Sequence, residues 1–224
     1  MGTPAAAAVG LNLQTDIDQV NGLKRFLDET GKDKRKFAAK NCMTSPPLYQ
    51  PRRADRAVTD ESWLKAMLHK APYGALGTEW QGQPFVKPTL FAYDEAANAI
   101  YFHGAAEGRT RLNIEANPRT CLCVCELGRL LPADTAMEFG IEYASLMVFG
   151  ETRLVSEPEE ARHGLQLLLD KYFPHLKPGA DYRPIVPEEL NITLVYRLDV
   201  DQWSGKQDHA ASDFPGAFYY ETLP

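Results

Sequence analysis

The sequence predicts a mainly β, α+β chain: a small antiparallel barrel of six strands with two or three helices at its periphery. Two observations carry this. Short apolar or alternating runs bounded by Gly, Asn, Asp and Pro recur between residues 73 and 155 and again at 191–203. Only a few stretches show the 3.6-residue apolar period of a surface helix.

Residues 1–50 are set apart by charge, holding seven of the 24 basic and five of the 30 acidic side chains. Within them residues 22–41 can form helical turns with a basic face. This segment is read either as an arm that packs on a partner subunit or as a poorly ordered tail. After the proline-containing stretch 45–51, a helix is expected over residues 60–70. Thr59 is placed to cap it, acids fill its first turn, and Trp63, Leu64, Met67 and Leu68 form one apolar stripe.

Strands are expected at 73–80, 84–93 and 99–103, joined by a turn at Gln81-Gly82 and another around 94–98. A helix over 107–116 stops before Asn117-Pro118, because the residue before proline resists helical torsions. A strand at 120–126, a loop at 127–140 and a long strand at 141–155 follow, with Gly150 marking a bulge or bend. Ser156 and Glu159 read as a capping box for a helix running to about Tyr172, with Ala161, Leu165, Leu168 and Leu169 inward and His163 on the surface. A proline-spaced loop at 174–187 leads to the last strand, 191–203, and an aromatic-rich tail.

The formal charge of −6 argues against a broad nucleic-acid surface and for a small-molecule protein that meets any phosphate locally. No apolar run is long enough to span a bilayer, and the opening MGTPAAAAVGLNLQTD lacks a secretory signal, so the cytoplasm is the expected compartment. Cys121, Cys123 and Cys125 alternate with Leu122 and Val124, which puts three thiols on one strand face. They are read as a buried row of small apolar groups. No metal centre is expected, since neither these thiols nor His69, His175 and His209 have further ligands at metal spacing. Ser145 lacks the surroundings of a hydrolase nucleophile.

Residues 99–118, AIYFHGAAEGRTRLNIEANP, carry the strongest functional signal. A strand ending in His103 gives way to a small-residue turn and then to a helix opening on Gly108 and Arg109. The unpaired N–H groups and dipole of a helix start favour an anion, and Arg109 adds a forked donor suited to phosphate.

These residues, with the segment Gly82–Pro88 (GQPFVKP), the pair Asn117-Pro118, Glu142-Tyr143-Ala144-Ser145 through Phe149-Gly150, and the closing Trp203-Ser204-Gly205-Lys206, resemble the flavin-binding split-barrel proteins related to pyridoxamine 5'-phosphate oxidase, most closely the nitroimidazole-reductase branch. The likeness covers about residues 52–207. It implies a six-stranded split barrel over residues 51–207, between an extension (1–50) and a C-terminal tail (208–224), forming a homodimer with FMN at the subunit interface. It further implies that Lys87, Pro88, Thr89 and Leu90 line the isoalloxazine, largely through backbone groups. Phe102, His103, Gly108, Arg109 and Thr110 would border the ribityl phosphate, Ser145 would reach the cofactor from the long strand, and Lys206 is a further contact. Relatives commonly carry a lysine where this chain has Thr110, so one cationic phosphate contact is missing unless Arg111 supplies it.

By this resemblance the chain is an FMN-dependent oxidoreductase, drawing on NADH or NADPH to reduce a nitroaromatic, quinone or similar acceptor. His103 is the expected catalytic residue, an imidazole being suited to moving protons near neutrality. A purely structural role for it, bonding backbone at a strand end, stays open. So do a flavin carrier or sensor without turnover and genuine pyridoxamine 5'-phosphate oxidation. The last requires a second cationic cluster that the sequence does not mark.

Overall fold

A computed structural model describes residues 49–220, so the N-terminal arm and Cys42 lie outside the described residues. Nine strands form a single antiparallel sheet, β1 (Ala57–Val58), β2 (Gly74–Trp80), β3 (Gln83–Thr89), β4 (Ala92–Asp94), β5 (Ala99–Gly104), β6 (Arg119–Leu131), β7 (Gly140–Leu154), β8 (Leu194–Asp208) and β9 (Phe218–Tyr219). The six long strands are those expected; β1, β4 and β9 are short additions. The helices are α1 (Glu61–Lys70), α2 (Arg109–Ala116), α3 (Pro158–Tyr172) and the single turn α4 (Pro187–Leu190).

The strands run in the order β3-β2-β6-β7-β8-β5-β4, with β1 on β8 and β9 on β6. The ladder is not closed, yet β3 and β4, its two ends, are joined by Leu90 and Phe91 alone. Two linking residues span at most about 10 Å, so the sheet must curl until its edges are neighbours. The result is a split barrel.

Its interior is filled by Leu76, Leu122, Val124, Leu146, Val148 and Leu198 from the long strands, by Phe91, Ile100, Phe102 and Tyr196, and by Leu64, Met67 and Leu68 of α1. Strand β5 is covered on both sides. Ile100 and Phe102 face the barrel, whereas Ala99 and Tyr101 pack beneath α3 with Ala161 and Val195, which explains a continuous rather than alternating apolar run.

Several local expectations are corrected. Asp60, not Thr59, caps α1 by accepting from the Ser62 N–H at 2.9 Å, a carboxylate being the stronger acceptor at a helix start. The Ser156–Glu159 box does not form: α3 begins on Pro158 with Glu157 as an N-cap that makes no side-chain bond. The expected 127–140 loop shrinks to 132–139, because β6 and β7 stay paired through an irregularity between Leu127 and Leu130. Arg129 secures this stretch, gripping the buried Glu142 at 2.6 and 2.9 Å and donating to the carbonyls of Ala211 and Ser212.

The three thiols share a face, but it is the outer one. Leu122 and Val124, the more apolar alternates, take the interior, leaving Cys121 and Cys123 half-buried and Cys125 exposed. Gly150 does mark an irregularity, and the extra residue is on β8 opposite it: Phe149 pairs Gln202 and Gly150 pairs Val200, leaving Asp201 over. Gln81 and Gly82 both have positive φ (54° and 77°), the primed turn whose twist suits a two-residue hairpin.

Candidate functional site

Strand β5 delivers His103 to the rim of the barrel, and six residues later the chain enters α2. Gly108, the N-cap, has φ 137°, a conformation that L side chains rarely adopt, and a Cβ there would meet nothing within 4 Å. The tip is therefore open. The first intrahelical bond is Leu112 N–H to the Gly108 carbonyl, and no acceptor is recorded among the described residues for the N–H groups of Arg109, Thr110 and Arg111.

Arg109 lies with its guanidinium 5.4 Å from the Trp80 ring and has no carboxylate partner among the described residues. Trp80, at the end of β2, was not singled out from the sequence. Its place beside the Gln81-Gly82 turn is the feature that could have pointed to it. Arg111 is committed within the chain. It donates to Glu115 and to the Ala106 carbonyl, both at 2.7 Å, and so pins the loop before α2 in place. Thr110 is half-buried.

The second group lies along β3. Cross-strand pairing sets Lys87 level with Leu76 and Leu122, so its side chain stands on the interior face of an edge strand, half-buried. Burial pulls its ammonium below the ordinary lysine range, and no acidic partner is recorded for it among the described residues. Thr89 is buried, and its hydroxyl donates to the Leu90 carbonyl at 3.3 Å. Pro88 points to the outer face and Leu90 is 51 % exposed. The Phe102 side chain is stacked on Tyr196 inside the core at 5.0 Å, which leaves only its backbone for a ligand.

Leu90 and His103 come together at one cleft of about 690 Å³ between the barrel rim and α3. Its walls are Leu165, Leu168 and Leu169 from α3, then Phe173, Ile185 and Ile192. Sequence reasoning assigned Leu165 and Leu169 to the core. The clue it passed over is that α3 carries more leucines than a helix covering a single strand can bury.

Ser145 and Lys206 stand apart from these groups. They are cross-strand partners on β7 and β8, on the outer face, level with Cys125. Strand β7 lies three strand spacings, about 14 Å, from β3, and Ser145 points away from the side that Lys87 occupies. Next to Lys206 is Tyr143, whose ring lies 5.2 Å from the ammonium. Burial pushes the Tyr143 hydroxyl up, but the nearby Lys206 and Arg56 cations outweigh it and pull the group below its usual range.

The family profile described as pyridoxamine 5'-phosphate oxidase matches residues 60–207, which takes in β2–β8 and α1–α4. The chain belongs to that family. Its fold is likewise that of the flavocytochrome Anf3 from Azotobacter vinelandii, 26 % identical with a TM-score of 0.62 over 78 % of this chain and 85 % of that one. A candidate 5-nitroimidazole antibiotic resistance protein from Bacteroides thetaiotaomicron is 20 % identical with a TM-score of 0.56, covering 68 % of this chain and 90 % of its own. An FAD and heme binding protein from Mycobacterium smegmatis is 21 % identical with a TM-score of 0.62, over 69 % and 74 % respectively. No curated protein matches the chain. Within the family's split barrel, this chain's own residues supply an open helix start, an arginine without an acidic partner among the described residues, and an apolar cleft around one histidine. No helix of the described residues is long and apolar enough to cross a membrane.

Proposed function

We propose that this chain is an FMN-dependent oxidoreductase that takes electrons from NADH or NADPH and passes them to a small acceptor such as a nitroaromatic or quinone. The observation that carries the reading is the open α2 tip, where free N–H groups and the unpaired Arg109, held against Trp80, make a cradle for one phosphate. The residues fit the cofactor: Lys87 is a half-desolvated cation without a recorded acidic partner, suited to an electron-rich ring edge, and the backbone at residues 87–90 runs along the same edge strand. Bound FMN would supply the two-electron chemistry, which leaves the protein to orient the acceptor and manage protons. His103, exposed at the cleft, is the group that would hold or deliver a proton at its Nε2.

Ser145 and Lys206 face away from Lys87, so one copy cannot bring both sets to a single cofactor. A homodimer would, with β7 and β8 of one protomer completing the site of the other. The outer face offers small or apolar residues for such contact, with Ala75, Cys123 and Met147 in register across β2, β6 and β7, and a hollow of about 540 Å³ at the neighbouring row of Gly77, Cys121 and Phe149.

Stopped-flow spectroscopy tests this reading. NADH or NADPH should bleach the bound flavin, and a nitroimidazole or quinone should restore its colour. His103→Ala is expected to retain FMN while slowing reoxidation at least about a hundredfold, the low end for a positioned acid. Unchanged reoxidation would remove the histidine from the chemistry, and a flavin that nicotinamides do not bleach would overturn the oxidoreductase assignment.

A further inference from the structure

We infer that the cleft behind His103 selects an uncharged, largely apolar ring as electron acceptor and rejects phosphorylated or sulfonated ones, so that the reaction for which the family is named is not this chain's. The inference rests on the redox reading for the word acceptor, but the selectivity itself is a property of the cleft. Of the polar groups on its walls, two are already committed. The Tyr172 hydroxyl accepts from the Phe91 N–H at 3.1 Å and lies 2.7 Å from the Pro72 carbonyl, to which it donates. The Glu189 carboxylate takes the Val186 N–H at 3.0 Å and Arg183 at 2.9 Å. The Val186 bond, followed by Arg183, holds that carboxyl below its usual range, so it stays ionised at neutral pH.

Among the described residues, only the side chains of His103 and Thr193 then remain without a hydrogen-bond partner on these walls, and no lysine or arginine lines the cleft. An anionic substituent would lose its hydration and gain no free cation, since Arg183 and Arg162 behind the wall are already held by Glu189 and the Ile185 carbonyl. A neutral ring loses little water, packs on the leucines of α3 and can direct one carbonyl or nitro oxygen to the imidazole. The volume of about 690 Å³ admits a bicyclic molecule, and size therefore does not decide between the two classes. Charge does.

The test compares menadione with 1,4-naphthoquinone-2-sulfonate on the full-length protein as purified. Dissociation constants come from equilibrium dialysis and need no turnover. The neutral quinone is expected to bind at least about tenfold more tightly, since an unpaired charge is costly to desolvate. Leu169→Lys, which puts an ammonium on the α3 wall, should bring the two constants to parity or reverse them. Ile192→Lys should act in the same direction from the opposite wall; Ile192 is 75 % exposed, so the variant stays foldable if Leu169→Lys does not. A yellow protein that binds the sulfonate as well as menadione would overturn the selectivity and leave the redox reading standing. A colourless protein that takes up no FMN, but whose preference for menadione the lysine variants erase, would support the selectivity and sink the redox reading.

Discussion

Arg109→Ala isolates the phosphate contact, because that guanidinium has no acidic partner among the described residues and its removal strands no internal charge. What is lost is a charge-assisted bond to ligand, worth about 1.5–3 kcal/mol, which is roughly a 10- to 150-fold rise in the FMN dissociation constant. Quenching of flavin fluorescence on titration into apoprotein measures it. Riboflavin, which lacks the phosphate, is the control, and its affinity should change by less than about twofold. Trp80→Ala should produce a smaller version of the same effect. It removes the ring that orients the guanidinium at 5.4 Å, and an exposed cation–π contact is worth about 0.5–1 kcal/mol, or two- to fivefold. Thr110→Lys adds a cation to the first turn of α2 and should tighten FMN. An unaltered FMN constant in Arg109→Ala, or an equal loss for riboflavin, would refute the placement of the phosphate at the α2 tip.

Three further outcomes are expected. Arg129 holds the Glu142 carboxyl down to about 2 from an ordinary 4.5, so the pair stabilises the fold above about pH 4.5 and loses that contribution as pH falls towards 2; in thermal melts Glu142→Gln should show a deficit at neutral pH that shrinks across this window, and a deficit independent of pH would contradict the pairing. Gly150→Ala would drive a Cβ into the Asp199 carbonyl oxygen and force β7 and β8 apart, costing about 2 kcal/mol or more in urea unfolding, and a wild-type midpoint would show that the strands are not so close. Burial drives the Cys121 thiol up to about 11, so at pH 8 only about one in a thousand is thiolate and iodoacetamide should label the exposed Cys125 well before it; equal labelling on peptide mapping would contradict that environment.

How much of this was legible beforehand depends on the range over which each feature is decided. The Gln81-Gly82 turn, the end of α2 at Asn117 and the start of the cradle at Gly108 are fixed by torsional preferences of one or two residues, and all three are found where the sequence marks them. The facing of Cys121, Cys123 and Cys125 was misread because alternation shows which residues share a side but not which side is core. Leu122 and Val124 settle that only by packing against Leu76, Leu146 and Val148 from other strands. Arg111 was left open as a phosphate ligand. Its commitment to the Ala106 carbonyl depends on a loop path that no periodicity encodes. The cleft was missed for the same reason: Leu90 and Ile192 are more than a hundred positions apart and meet only once α3 has crossed the sheet. His163, read as a surface residue, is exposed, yet its Nε2 lies 2.7 Å from Asp94 Oδ2 and ties α3 to β4.

The candidate site lies where the sheet fails to close, and this follows from the two residues that bridge its edges. A chain crossing from β3 to β4 leaves the ladder, so its N–H and C=O groups need partners elsewhere. At Phe91, whose side chain is fully buried, the N–H donates to the Tyr172 hydroxyl at 3.1 Å, and the carbonyl lies 3.2 Å from that hydroxyl, whose one proton goes to the nearer Pro72 carbonyl ahead of β2. The end of α3 is thereby fixed to both sides of the seam. Leu90, the other bridging residue, cannot follow Phe91 inward and turns its side chain out to the cleft. The seam thus brings the apolar wall on α3 and the rim histidine of β5 together beside the unpaired edge of β3, an edge that a closed barrel would have consumed in strand pairing.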